Sequence, residues 1–579
     1  MIGSDSRLAR AVEYGVVALA ALAFAASYGF NFGFDNQVVY FLKSLALTDR
    51  TLLHADWFTN HTTQYHRVFI YFGALLLKLN QRGWAVAIVQ FLLVLTGAVV
   101  IYRLVKRVAG ATLSIAAYLI LLSMLFLTRT SSVGASYLFD TILQPSTLGA
   151  LGSIAGTMFF VEERWFESGL CLAAGGAFHA NYLVLAYPIF GLAHLALGFK
   201  GLKQRLIAQF APLLVVTIAL SPLLLAASHT KASPEAQDIL FRVRSPHHYN
   251  PARYERNFMP FAAWQLLGIG SGWLLHKTDN GRRLGAILCG LMMTIWAGTV
   301  LSAFYDISKV TQIFVWRFAP NADLVSQILI ACALAQALAK PAITRLYPGV
   351  ALGLMCAGLG VFGLFFRGKE NAPVPNLLFV FFAAAVLARG LDLALDLLSR
   401  LLPSQASLVA QAKLALAWSP LVLGGYEMYR LAPDRVQQGL DRSTLLKEER
   451  GATMELYRWL RESSPKDAVY LTPPDMEGAR YLGQRAIVVD WKAVPLIPSE
   501  LLGWYERLCD VTGRSIRGSG DLGGYASIDP PRLALIEAKY HPDFLVLRRG
   551  GERRFADFPV VYQNGGYSVL KIAAAPAQP

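Results

Sequence analysis

The chain has 579 residues, of which 55% are hydrophobic and only 16% charged, with a mean hydropathy of +0.43. That balance excludes an ordinary soluble globular protein. The formal charge of +15 sits largely in short loops between apolar runs, where it sets membrane topology and draws anionic lipid; it does not point to nucleic acid. The five cysteines are scattered without CxxC spacing, which argues against a disulfide framework or a zinc site.

The first apolar run, about residues 12–30, follows Arg7 and Arg10 and reads as an uncleaved anchor with a cytoplasmic N-terminus. Further spans are expected at about 84–105, 110–128, 145–161, 167–183, 184–198, 205–228, 258–276, 283–304, 322–339, 346–366, 376–397 and 408–430. The expectation is a polytopic α-helical membrane domain over residues 1–435, with about thirteen transmembrane helices. Arg103/Lys106/Arg107, Lys200/Lys203/Arg205, Lys277/Arg282/Arg283 and Lys340/Arg345 fall in loops expected inside. Val68–Leu79 is apolar but reaches only about 18 Å as a helix, so it reads as interfacial or re-entrant. The polar outer loops are then residues 31–66, 129–144, 229–257 and 305–321.

From about Asp441 the composition turns polar, and residues 441–579 read as a small extracytoplasmic α/β domain. A helix is expected over Glu448–Ser463 and another over Leu501–Cys509. Short strands are expected at Ala468–Thr472, Ala486–Asp490, Phe544–Leu547, Val560–Tyr562 and Tyr567–Lys571, with Asn564-Gly565-Gly566 as a hairpin turn. The glycine-rich stretch Arg514–Gly524 lacks the Lys-Ser/Thr ending of a phosphate-binding loop. Trp491 and Trp504 fit the domain core better than a sugar-stacking surface.

Chemistry concentrates in the outer loops. Asp35 lies about one turn beyond the first membrane helix, where a carboxylate is costly unless solvated or paired. An amphipathic stretch follows it, and then His54, Asp56 and His61. Asp140 stands in the second outer loop, either as a turn residue or as part of a site. His179 stands near the outer end of a span, either as a packing residue or facing the same cavity. In Phe241-Arg-Val-Arg-Ser-Pro-His-His-Tyr249, Arg242 and Arg244 can fork onto phosphate oxygens. His247 and His248 can donate to phosphate, carry a proton or ligate a metal. Arg317, beside an outer helix start, suits a phosphate partner or interfacial snorkelling equally.

This order of features resembles the GT-C superfamily of integral-membrane glycosyltransferases, of the protein O-mannosyltransferase and arabinosyltransferase kind. The tail is similar to that of an uncharacterised bacterial branch, in Tyr457-Arg-Trp-Leu-Arg-Glu462 and Arg485-Ala-Ile-Val-Val-Asp-Trp-Lys492. The resemblance implies an enzyme of the bacterial plasma (inner) membrane that takes a sugar from a polyprenyl-phosphate-linked donor. It passes that sugar to an extracytoplasmic glycan, lipid or protein acceptor. Asp35 matches the family's first-loop acid, the expected base. Where the family often has a second adjacent acid, this chain has Asn36, so either Asp56 supplies the second carboxylate or the catalytic apparatus differs. His54, Asp140, His179, Arg242, Arg244, His247, His248 and Arg317 are the expected substrate-binding residues. The sequence names no cofactor and leaves a divalent cation (Mg or Mn) open. The competing expectations are a transporter, flippase or polymerase of lipid-linked glycans, and an inactive GT-C-like binding protein.

Overall fold

The structure is a computed structural model that describes residues 7–80, 82–128, 132–229, 233–251, 255–305, 311, 313–339, 373–447 and 450–572. Helices dominate the first three quarters. In chain order they are α1 (Arg7–Ala26), α2 (Arg67–Leu79), α3 (Trp84–Ala109), α4 (Ser114–Leu127), α5 (Pro145–Val161), α6 (Trp165–Phe178) and α7 (Ala180–Ala196). There follow α8 (Leu202–His229), α9 (Glu255–Leu275), α10 (Asp279–Phe304), α11 (Ala319–Ala339), α12 (Pro373–Leu401) and α13 (Ala406–Asp441). Among the described residues eight helices are long and apolar enough to cross a membrane, and α4, α5 and α7 are shorter apolar ones. The expected span at 346–366 lies outside the described residues. The break expected at 183/184 falls instead at His179, whose extended backbone (φ −144°, ψ 104°) ends α6 and starts α7.

The centre of the bundle is α11, which is apolar or small on nearly every face and packs against α3, α4, α9, α10, α12 and α13. The basic loops meet at one end. Arg103 and Arg107 both bond Glu162, Arg283 bonds Glu163, and Asn280 reaches the Arg107 carbonyl (2.7 Å). The polar loops meet at the other end. The Phe30 N–H donates to Ser443 Oγ (2.8 Å), the Thr444 N–H to Asn31 Oδ1 (3.1 Å), and Asn31 Nδ2 to the Thr141 carbonyl (3.2 Å). Helix α2 enters and leaves on this same end. His66 before it touches the Phe178 carbonyl, and Gly83 after it packs on Phe32. Thirteen residues are too few to do otherwise.

Beyond α13 the chain folds into an α/β unit with helices α14 (Ala452–Ser463), α15 (Pro498–Thr512) and α16 (Pro530–Tyr540). Its strands are β1 (Val469–Leu471), β2 (Ala486–Ile487), β3 (Phe544–Arg548), β4 (Val560–Gln563) and β5 (Tyr567–Lys571), in the order β2-β1-β3-β5-β4. The first three run parallel and the last pairings are antiparallel. Helix α14 starts at Ala452, later than expected, because Gly451 precedes it with φ 129°. Asn564 closes the β4–β5 hairpin, its Oδ1 accepting the Gly566 and Tyr567 N–H groups (3.0 and 2.9 Å). Trp504 is buried, donating to the Asp490 carbonyl (2.9 Å), and Trp491 packs on it at 5.6 Å. The segment Arg514–Gly524 folds onto the domain. Arg532 donates to the Gly524 carbonyl, and Tyr525 just beyond it donates to the Leu471 and Val546 carbonyls.

Candidate active site

The polar end of the bundle gathers segments that are far apart in sequence. Asp35 occupies a turn whose backbone is left-handed (φ 49°), a conformation that Asp tolerates better than most residues. Three contacts tie this turn to the second outer loop: Asn31 Nδ2 to the Thr141 carbonyl (3.2 Å), Asn36 Nδ2 to Gln144 Oε1 (3.1 Å) and Gln37 Nε2 to the Leu143 carbonyl (3.3 Å). Asp140 is thereby brought near Asp35. Its carboxylate accepts from the Thr141 N–H (2.6 Å) and from Gln144 Nε2 (2.8 Å). Burial lifts the Asp140 carboxyl to about 6, and the Asp35 charge adds to that rise against the bonds from Thr141 and Ile142.

Tyr40, one turn past Asp35, lies near enough to both acids and to a cation to feel their charges. Burial raises its phenol, the Arg317 charge opposes the rise, and Asp35 and Asp140 reinforce it. Arg317 lies over the Phe314 ring at 4.6 Å. Around it stand His66, His179, Tyr182, His248 and Tyr249, each within reach of its charge. His66 sits 4.9 Å from His179 and 5.2 Å from Tyr40, ring to ring, and His179 sits 5.5 Å from Tyr182. His66 Nδ1 donates to the Phe178 carbonyl (3.1 Å) and His248 Nδ1 to the Gly134 carbonyl (2.8 Å). Those bonds fix both tautomers. Burial pushes His66 down to about 4 and His248 to about 3, so both are neutral near pH 7. Arg317 Nε, His179 Nδ1 and Tyr182 Oη are buried and have no hydrogen-bond partner among the described residues. Orphaned polar atoms that cluster in this way suit a polar ligand.

The other candidate residues lie elsewhere. Asp56 is fully buried. It caps the turn Trp57–His61 through the Thr59 N–H (2.8 Å), accepts from the Ile487 N–H (3.2 Å), and pairs with Arg480 Nε at 2.8 Å. Arg480 also bonds Asp490, and it is 1% exposed. Arg244 donates to the Trp491 and Lys492 carbonyls (2.9 and 3.3 Å) and stacks over Trp491 at 5.1 Å. Arg242 is exposed and pairs with Asp238 (3.1 Å). His54 is exposed, and His247 is exposed with its ring 4.2 Å from His248. Asp35, Asp140, His179, His248 and Arg317 therefore come together, whereas Asp56 and Arg244 fasten the outer loops to the α/β domain.

Sequence reasoning did not single out Tyr40, His66, Tyr182 and Tyr249, which stand around Arg317, nor Arg480 and Lys492, which pair with Asp56 and Asp35. Lys492 Nζ bonds Asp35 Oδ1 at 2.5 Å. The available signal was weak: Lys492 closes a stretch already singled out, and His66 directly precedes an apolar helix. Among the described residues no three His, Cys, Asp or Glu side chains gather to hold a metal ion.

A model for a domain of unknown function (DUF6798) matches residues 451–511. No curated protein matches. Several solved structures are similar. The oligosaccharyltransferase AglB of Archaeoglobus fulgidus, in complex with an inhibitory peptide and a dolichol-phosphate, matches with TM-score 0.49 and 12% identity, over 94% of this chain and 70% of its own. ArnT of Cupriavidus metallidurans in the apo state matches with TM-score 0.48 and 13% identity, over 97% and 98%. The same protein bound to undecaprenyl phosphate matches with TM-score 0.43 and 14% identity, over 99% and 100%.

Proposed function

We propose that the protein is a GT-C-type membrane glycosyltransferase that moves a sugar from a polyprenyl-phosphate-linked donor to an extracytoplasmic acceptor hydroxyl. The observation that carries this reading is the set of orphaned atoms on Arg317, His179 and Tyr182, near Tyr40, which feels the charges of Arg317 and of the two acids Asp35 and Asp140. A permanent cation without a carboxylate partner among the described residues suits a phosphate. A half-exposed carboxylate across from it suits a base. The donor's prenyl tail lies between membrane helices, and its phosphate meets Arg317, His179 and Tyr182. Asp35 takes the proton of the acceptor hydroxyl as that oxygen attacks the anomeric carbon. The bond from the anomeric carbon to the phosphate oxygen breaks, and the charge left on the phosphate is met by Arg317. Neutral His66 and His248 donate or accept without adding permanent charge. Asp56, in this reading, has a structural role.

The test is turnover of a panel of radiolabelled polyprenyl-phosphoryl sugars by the full-length protein in detergent, where transport has no meaning. Release of polyprenyl phosphate is expected. Asp35→Asn should lower it by about 100-fold or more, and Arg317→Met should weaken donor binding. If no donor is turned over, or Asp35→Asn behaves as wild type, the reading is wrong.

A further inference from the structure

The acid assigned as base has an unexpected neighbour. Among the described residues the only hydrogen bond or ion pair of the Asp35 side chain is to Lys492, whose Nζ lies 2.5 Å from Oδ1. Asp35 is 46% exposed and Lys492 19%, so the lysine is the better held of the two. Its turn is fixed from several sides. The Ala493 N–H donates to Asp490 Oδ1 (2.6 Å), and the Trp491 N–H donates to the Pro474 carbonyl (2.9 Å). Arg244 of the third outer loop holds the carbonyls of Trp491 and Lys492 (2.9 and 3.3 Å). Arg480 ties Asp490 to Asp56 of the first outer loop. Asp35 by contrast sits on a left-handed turn (φ 49°) with two side-chain torsions left open.

We propose that residues 451–511 act as the roof of the membrane site, and that Lys492 is the positioning residue that orients Asp35 toward the acceptor hydroxyl. This rests on the reaction proposed above and assigns a role to the domain of unknown function. The ammonium fixes one carboxylate oxygen and leaves the other to take the proton. A base held at the right distance and angle saves the entropy of finding that position, and a misplacement of about 1 Å costs roughly 100-fold in rate. The acid on the membrane domain is therefore complete only when the C-terminal domain is docked.

Two measurements on the full-length protein test this. A carbodiimide couples a lysine to a carboxylate only where they touch, so mass spectrometry should find an amide linking Lys492 to Asp35 in the wild type. Lys492→Met should lower kcat by about 10- to 100-fold with donor KM within about twofold. Lys492→Arg, or ethylammonium added to the Lys492→Met protein, should restore most of the rate, which a merely structural defect would not allow. The inference is overturned if the cross-link is absent, if Lys492→Met turns over at the wild-type rate, or if neither rescue works. A wild-type protein that forms the cross-link but turns over no donor overturns the proposed reaction instead.

Discussion

At the scale of single residues, the site depends on which polar groups are matched and which are left open. Asp56 and Asp35 are both first-loop acids, yet one is fully buried against Arg480 and the other is half-exposed beside Lys492. Likewise Arg244 is spent on two backbone carbonyls, while Arg317 keeps a buried Nε without a partner among the described residues. Neutral histidines around that cation carry a pH signature. Burial depresses His66 from 6.5 to about 4, so between those values the unfolded chain binds the proton more readily than the folded one. Stability is then fully present above about pH 6.5 and falls as pH drops toward 4. Thermal melting of the purified protein should show a lower melting temperature at pH 4.5 than at pH 7. His66→Gln should remove part of that decline, and an identical decline in this variant would mean that His66 carries a charge in the fold or is not buried there.

At the scale of elements, the position of Asp35 depends on how α1 meets α13. Gly439 of α13 lies so close to α1 that a Cβ would come within 2.5 Å of the Ser27 carbonyl and 2.6 Å of the Ala26 carbonyl, and Gly29 (φ 74°) faces the Gly439 carbonyl in return. Backbone atoms cannot move aside as a flexible side chain can. Gly439→Ala should therefore cost about 1–3 kcal/mol and shift the turn that follows α1. The expected outcome is a lower melting temperature together with reduced donor turnover. Wild-type melting in this variant would show that the two helices are not in such close contact. Helix α2 shows the same dependence on neighbours. Its length forbids crossing, but its position at the polar end is set by contacts at both of its ends, His66 with Phe178 and Gly83 with Phe32.

At the scale of the whole molecule, a buried charge triad joins the two parts of the chain. Arg480 bonds Asp56, 424 positions away, as well as Asp490. All three side chains are almost completely buried. Such a triad adds little net stability over an apolar core, but breaking it strands a buried charge at a cost of about 3–5 kcal/mol. Arg480→Met should therefore loosen the C-terminal domain. Limited proteolysis between residues 442 and 451 should become faster, and donor turnover should fall along with it. A digestion pattern matching wild type would show that other contacts, such as Glu500 with Thr63 (2.8–3.1 Å), hold the domain alone.

The amino-acid sequence by itself determined a helical membrane protein with a small α/β unit at its C-terminal end. Apolar runs, basic loops and alternating strands act through local hydropathy and period, which each segment carries with it. Residue types alone also drew attention to Asp35, Asp140, His179, His248 and Arg317. Only the tertiary structure decided which candidates stand together, and it separated Asp56 and Arg244 from them. Whether a charge is matched depends on a partner hundreds of positions away, and the partners Arg480 and Lys492 sit in the C-terminal α/β domain, which only the fold brings against the outer loops. Tyr40 and His66 escaped notice for the same reason: each is an ordinary interfacial residue until α6, α7 and the turn before α11 surround it with Phe178, His179 and Arg317.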